Sequence, residues 1–151
     1  MATAASDLPG WFYLTPTQYG ADEVLTACAD GYRAASLWEI LDTTDLVYDT
    51  ARGYIGGDSG AGPPSAVSGW IRTGYWMASS ADGPGVGNCL NWTSTSGSEY
   101  GTIALLSANW GFTPTAISLW EAISVTCSTT WTRVWCVRHP SQVFLPLALC
   151  Q

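Results

Sequence analysis

Lysine is absent from this chain of 151 residues, and its basic side chains are five arginines and one histidine, set against twelve carboxylates. Arg33, Arg52, Arg72, Arg133 and Arg138 are scattered, and the net charge is −7. Nucleic acids and heparin-like polyanions are therefore excluded as expected partners, because phosphate and sulfate are held by clustered basic side chains. The single histidine, His139, precedes Pro140 and has no second histidine with which to share a transition-metal ligand set. It is equally isolated as a base for a serine or cysteine nucleophile. Gly83-Pro84-Gly85-Val86-Gly87 has no following lysine or helix and reads as a loop, not a phosphate cradle. No run of about eighteen apolar residues exists to span a bilayer. The start, Met1-Ala-Thr-Ala-Ala-Ser, lacks the basic and apolar regions of a signal peptide. The expectation is that Met1 replaces a removed leader, or that the domain is cut from a longer surface protein.

What is plentiful is aromatic and neutral: nine Trp and seven Tyr beside only 11% charged residues, so solubility rests on Ser, Thr, Asn and Gly. The length fits one domain with a real core. Five cysteines in so weakly charged a chain are read as disulfides of an oxidising compartment, and the expected location is secreted or cell-surface. Cys28, Cys89, Cys127 and Cys136 allow three connectivities, among which sequence alone does not choose.

Gly10 to Thr15 is aromatic and β-prone and predicts a first strand, punctuated by Pro16 and Gly20. A short helix is predicted with Asp22 and Glu23 in its N-terminal turn, Val24, Leu25 and Cys28 on one face and Gly31 as its left-handed stop. A second begins at Ser36, where Ser36-Leu37-Trp38-Glu39 is a capping-box pattern and Leu37, Ile40 and Leu41 form the apolar face. From about Asp49 to Gly87 the composition turns to Gly, Pro, Ser and Asp, interrupted by one short strand at Gly69 to Gly74; so long an irregular stretch is usually functional or locally braced. Further strands are predicted around Cys89 to Thr93, Thr102 to Leu106, Ile117 to Ala122 and Val134 to Arg138. Helices early and strands late make an α+β domain.

Ala27-Cys28 through Trp38-Glu39, Gly69-Trp70-Ile71-Arg72-Thr73-Gly74, Asn88-Cys89-Leu90-Asn91-Trp92-Thr93, Thr126-Cys127 and Val134-Trp135-Cys136-Val137 together resemble the ordered elements of C-type-lectin-like domains. The wording is most similar to bacterial endostatin-like, collagen-tail-like members of that superfamily. The resemblance implies two short helices packed on small antiparallel sheets, a long loop region, and disulfides Cys28–Cys136 and Cys89–Cys127. The chain departs from the sugar-binding members, which carry Glu-Pro-Asn or Gln-Pro-Asp in the long loop and Trp-Asn-Asp in the next strand as oxygen ligands for Ca²⁺. None of these triplets is present, and Asn91-Trp92-Thr93 stands in the comparable place without an acidic neighbour. It is also formally a glycosylation sequon. The arginine patches of animal endostatins are missing too.

Asp42, Asp45, Asp49 and Asp58, with Ser59 nearby, are candidate oxygen ligands for a structural Ca²⁺, set against their reading as ordinary turn and helix-end residues. No cofactor is required. Glu39 and Glu121 are a distant carboxylate pair, more simply read as a helix cap and a strand-end acceptor. Trp38, Trp70, Trp92, Trp120 and Trp135 fall inside predicted elements and are expected in the core. Tyr54, Tyr75, Trp76, Tyr100, Trp110 and Trp131 lie in or beside loops and are the candidate ligand-binding aromatics, since flat rings give large contact area at small entropy cost.

The expected organisation is an extension over residues 1–9, a C-type-lectin-like domain over 10–139 and an apolar tail over 140–151. That tail, Val143-Phe144-Leu145-Pro146-Leu147-Ala148-Leu149, ends near Cys150, which a two-bridge scheme leaves free or intermolecular. Folding back on the domain and adding a strand to a neighbouring chain are both open to it. The function expected is a non-catalytic extracellular module recognising a glycan or protein ligand without Ca²⁺; the alternative is a structural subunit of an extracellular assembly that associates through residues 141–151.

Overall fold

A computed structural model describes residues 9–57, 60–75, 77–107, 120–129 and 131–140. The chain is α+β, built on one mixed sheet. Its strands are β1 (Gly10–Leu14), β2 (Arg33–Ala34), β3 (Leu46–Tyr48), β4 (Gly69–Trp70), β5 (Tyr100–Leu106), β6 (Trp120–Thr126) and β7 (Arg133–Arg138). The spatial order is β3-β1-β7-β4-β5-β6, with β2 beside the second half of β7. The small antiparallel sheets implied by the resemblance are corrected here, because β3 runs parallel to β1 and β4 parallel to β7.

The last strand is the centre of the molecule. Val134 to Val137 are wholly buried, as a strand flanked on both edges and covered on both faces demands. β1 pairs along one edge of β7, while β4 and then β2 share the other. Pleating sends Phe12, Leu14 and Trp135 to one face and Tyr13 and Cys136 to the other. On the first face Trp135 meets Trp120 edge-on at 5.1 Å, and its Nε1 donates to the Ala104 carbonyl at 2.9 Å. On the second, Tyr13 meets Tyr32 edge-on at 5.0 Å beside the buried Val24.

Two disulfides are present, Cys28–Cys136 and Cys89–Cys127, the pairs implied by the resemblance. The first ties the early irregular segment to β7, and the second joins the end of β6 to the turn before β5.

Three local expectations are corrected. The helix predicted to open at Asp22 and Glu23 is a single 3₁₀ turn, Ala21–Glu23, and Leu25, expected on its apolar face, is exposed. Gly31 does take the left-handed conformation, at φ +81°. The segment Cys89–Trp92, predicted as a strand, is a left-handed helical turn: Cys89, Leu90, Asn91 and Trp92 have φ between 48° and 62°. Its bonds run from the Trp92 N–H to Asn88 and from the Thr93 N–H to Cys89. The two short strands β2 and β3 are also found where none is predicted. Among the described residues no helix is long and apolar enough to cross a membrane.

A surface aromatic patch and the loop that carries it

The helix α1 (Leu37–Leu41) begins as its sequence predicts. The Ser36 hydroxyl accepts from the Glu39 N–H, and Glu39 Oε2 accepts from the Ser36 N–H at 2.8 Å. Backbone bonds pin it to the following segment: Arg72 N–H donates to Ala35, and Leu37 N–H to the Arg72 carbonyl, both at 2.7 Å. Ile40 points inward and is wholly buried, which turns Trp38 and Leu41 outward. Trp38, expected in the core, is 72% exposed. Ile40 fills the inward position and Leu37 packs half-buried against the core, whereas Leu41, expected on that apolar face, is exposed like Trp38.

Gly74 lies against that indole, so that a Cβ there would stand 3.5 Å from Trp38 Nε1, and its φ of +75° suits glycine. Tyr75 follows at 44% exposed, and Met77 is similarly open. Trp38, Tyr75 and Met77 thus form an exposed patch on α1 and the loop after Arg72.

The loop is braced from below by Asn88, which is buried. Its Oδ1 accepts from the N–H groups of Ser79 (2.9 Å) and Asn91 (3.2 Å), and its Nδ2 donates to the carbonyls of Met77 (2.8 Å) and Tyr75 (3.4 Å). Thr102 secures the far end: its hydroxyl donates to the Gly87 carbonyl at 2.9 Å and accepts from the Gly85 N–H at 3.0 Å. Leu37 packs beneath Gly85, where an added Cβ would meet it at 3.0 Å.

On the flank of α1, Glu39 gathers charge. It accepts from Arg33 and lies 2.7 Å from His139 Nε2. Partial burial pushes the Glu39 carboxyl up, but hydrogen bonds from Arg33, the Ser36 backbone, His139 and the Ser36 hydroxyl outweigh it and hold the group at about 2. Glu121 sits exposed on β6 opposite Leu105.

The candidate aromatics are dispersed. Tyr54 is half-buried with the Arg133 guanidinium stacked 3.8 Å from its ring centroid, so that face is covered. Tyr100 is half-buried in β5 opposite Thr126. Trp131 is 62% exposed but precedes β7, whereas Tyr75 lies beside α1, which Glu39 and His139 place past the other end of β7. Trp76 and Trp110 lie outside the described residues, as do Asp58 and Cys150.

The carboxylates named for a metal serve local turns. Asp42 accepts from the Thr44 hydroxyl and N–H. Buried Asp49 accepts from Tyr32 (2.8 Å), Arg52 (3.1 Å) and the Ala51 N–H. Asp45 is exposed, and its carbonyl accepts from Gly10. Among the described residues no three His, Cys, Asp or Glu side chains gather as a metal set.

Sequence reasoning passes over Asn88 and places Trp38 inside. The signal for Asn88 is faint, a small polar residue before a cysteine and three residues before Asn91, the spacing of a cap. The class defined by fold and site is a disulfide-bonded α+β domain presenting a braced aromatic patch, and its bridges fit an oxidising environment. Compared with known proteins, the chain matches no family model, no curated protein and no solved structure.

Proposed function

We propose that this domain is an extracellular, non-catalytic binding module of C-type-lectin-like fold that engages a glycan or protein ligand through Trp38 and Tyr75, without Ca²⁺. The observation that carries the reading is the exposure of Trp38 on a helix whose first turn is tied by backbone bonds to Arg72. Leaving a large apolar side chain in water forgoes roughly 1.5–3 kcal/mol of burial. A ring so placed, beside Tyr75 on a loop held by Asn88, offers pre-organised contact area at little entropic cost. Binding without Ca²⁺ is supported by the missing ligand triplets and by the use of Asp42 and Asp49 in turns. A non-catalytic role is supported by the Glu39 cluster, whose oxygens already accept from Arg33 and Ser36 and pair with His139.

A glycan array read with and without EDTA tests this. Binding is expected to survive EDTA and Trp131→Ala, and to be lost in Trp38→Ala and in Tyr75→Ala. Binding abolished by chelator and restored by Ca²⁺, or retained by both patch variants, would overturn the proposal.

A further inference from the structure

The five arginines are separated in sequence, and the fold gives four of them an oxygen partner. Arg33 pairs with Glu39 and Arg52 with Asp49, Arg72 donates to the Ala34 carbonyl, and Arg133 donates to the carbonyls of Thr15 and Pro16. Arg138 differs. It is exposed at the end of β7, and among the described residues its one side-chain partner is a ring. Its stem passes Gly31, where an added Cβ would stand 3.8 Å from Cδ, and its guanidinium lies over Tyr32, 5.0 Å from the centroid. The Tyr32 hydroxyl is itself fixed by buried Asp49 at 2.8 Å, and the Arg52 guanidinium approaches the same ring at 5.7 Å. Attraction to a ring positions a guanidinium without giving its N–H donors an oxygen acceptor.

The strand register sets what stands beside Arg138. Trp11 on β1 is directly opposite it, and Val47 on β3 is the partner of Trp11 on the other side. Residues paired in this way share a face of the sheet and lie about 5 Å apart. Trp11 is 37% exposed and Val47 41%. Val47, Trp11, Arg138 and Tyr32 therefore form a row across the face that also carries Tyr13, apolar at one end and cationic at the other. Arg33, by contrast, is opposite Val137, whose side chain belongs to the other face, and it reaches Glu39 on α1. The row is thus separate from Trp38 and Tyr75.

We infer that this row is a second binding site, for a sugar that carries a carboxylate. A carboxylate accepts two parallel bonds from the planar fork of a guanidinium, and the C–H face of the same sugar ring rests on the neighbouring indole. A peptide carboxylate reaches the same arginine but brings no rigid C–H face to lay on Trp11. The net charge of −7 narrows the class further. A dense polyanion is repelled by the molecule as a whole and needs clustered basic groups, whereas one arginine holds one carboxylate. Arg52 does not add a second, because Asp49 at 3.1 Å offsets its charge. The ligand chemistry is a uronic acid within an oligosaccharide of low charge density.

The test is isothermal titration calorimetry of the full chain at low salt. The acidic probes are a hyaluronan hexasaccharide and aldotetraouronic acid, and their neutral counterparts are the carboxyl-reduced hexasaccharide and xylotetraose. At least one acidic probe is expected to bind about tenfold or more tightly than its neutral counterpart. That preference should vanish in Arg138→Gln, the affinity should fall several-fold in Trp11→Ala, and both should persist in Trp38→Ala, which separates this site from the patch on α1. No binding of either acidic probe, equal affinity for acidic and neutral probes, a preference kept in Arg138→Gln, an affinity unchanged in Trp11→Ala or lost in Trp38→Ala, or tighter binding of a tetraglutamate peptide than of both acidic sugars would overturn the inference. The comparison of acidic with neutral probes uses the parent protein, so it decides the matter even where a variant fails to fold.

Discussion

His139 Nε2 lies 2.7 Å from Glu39 Oε1, a contact between residues a hundred positions apart that fastens the end of the central strand to the first turn of α1. Arg33, on the strand beside β7, completes the cluster from a third element. The acid behaviour of the protein should follow from it. The Glu39 carboxyl is held at about 2, below its ordinary value of 4.5, so the unfolded chain takes up its proton first as pH falls. The stabilisation is full above about 4.5 and is lost as pH descends from there through about 2. Urea midpoints measured from pH 7 to pH 2 should drop across that window. Glu39→Gln should be less stable at pH 7 but show a shallower drop, the remainder coming from Asp49. Burial pushes the Asp49 carboxyl up, and hydrogen bonds from Tyr32 and Arg52 more than offset it. Parallel curves for parent and variant would show that the cluster is not responsible.

The bridges should contribute unequally. Cys28–Cys136 spans 108 positions and Cys89–Cys127 spans 38. Chain entropy assigns about 4.7 kcal/mol to a loop near a hundred residues and about 3 kcal/mol to one of fifteen, with the shorter bridge here in between. Equilibrium denaturation should therefore rank Cys28→Ser with Cys136→Ser below Cys89→Ser with Cys127→Ser in stability. Non-reducing peptide mapping that recovered a Cys28–Cys89 pair would contradict the fold itself.

Asn88→Ala should be costly, because Asn88 is buried beneath the loop it holds. It would leave the Ser79 and Asn91 N–H groups and the Met77 carbonyl without their partner, at about 1–3 kcal/mol for a buried polar group left unsatisfied. Hydrogen exchange at the Ser79 amide should accelerate, and ligand affinity at Tyr75 should fall with it. A variant that melts normally and exchanges normally at Ser79 would remove Asn88 from its bracing role.

Two tryptophans separate surface from core. Trp70 is wholly buried, with its Nε1 donating to the Tyr19 carbonyl at 3.1 Å, and Trp70→Ala should cost about 3–5 kcal/mol. Trp38→Ala should change stability by no more than about 0.5 kcal/mol, as exposed positions usually do. Thermal melts of the two side by side decide it, and a large loss at Trp38 would mean that its ring supports the fold.

Much of the frame was legible because it rests on local chemistry. The aromatic run at Gly10 predicted β1, the apolar run before Arg138 predicted β7, and Ser36 with Glu39 predicted the start of α1, each from residues within one turn or one strand of each other. β2 and β3 were illegible because two or three residues have no period to detect; they are strands only because β7 and β1 offer them partners. Trp38 was misplaced for a related reason. In a five-residue helix, sequence alone does not say which side faces the sheet, and the bonds to Arg72 set that rotation.

The plainest division lies at Cys89–Trp92. By itself the sequence determined that a cysteine here would seek a bridge and that Trp92 would seek burial. Nothing local favours four successive non-glycine residues at positive φ, a conformation costing roughly 1–2 kcal/mol per residue. Only the assembled structure supplies what offsets that cost. The Cys127 bridge holds one end, Asn88 caps the turn, and Trp92 packs edge-on against Trp70 at 5.7 Å. These partners lie 38 residues downstream of Cys89, immediately before it and 22 residues upstream of Trp92, and only folding brings them together.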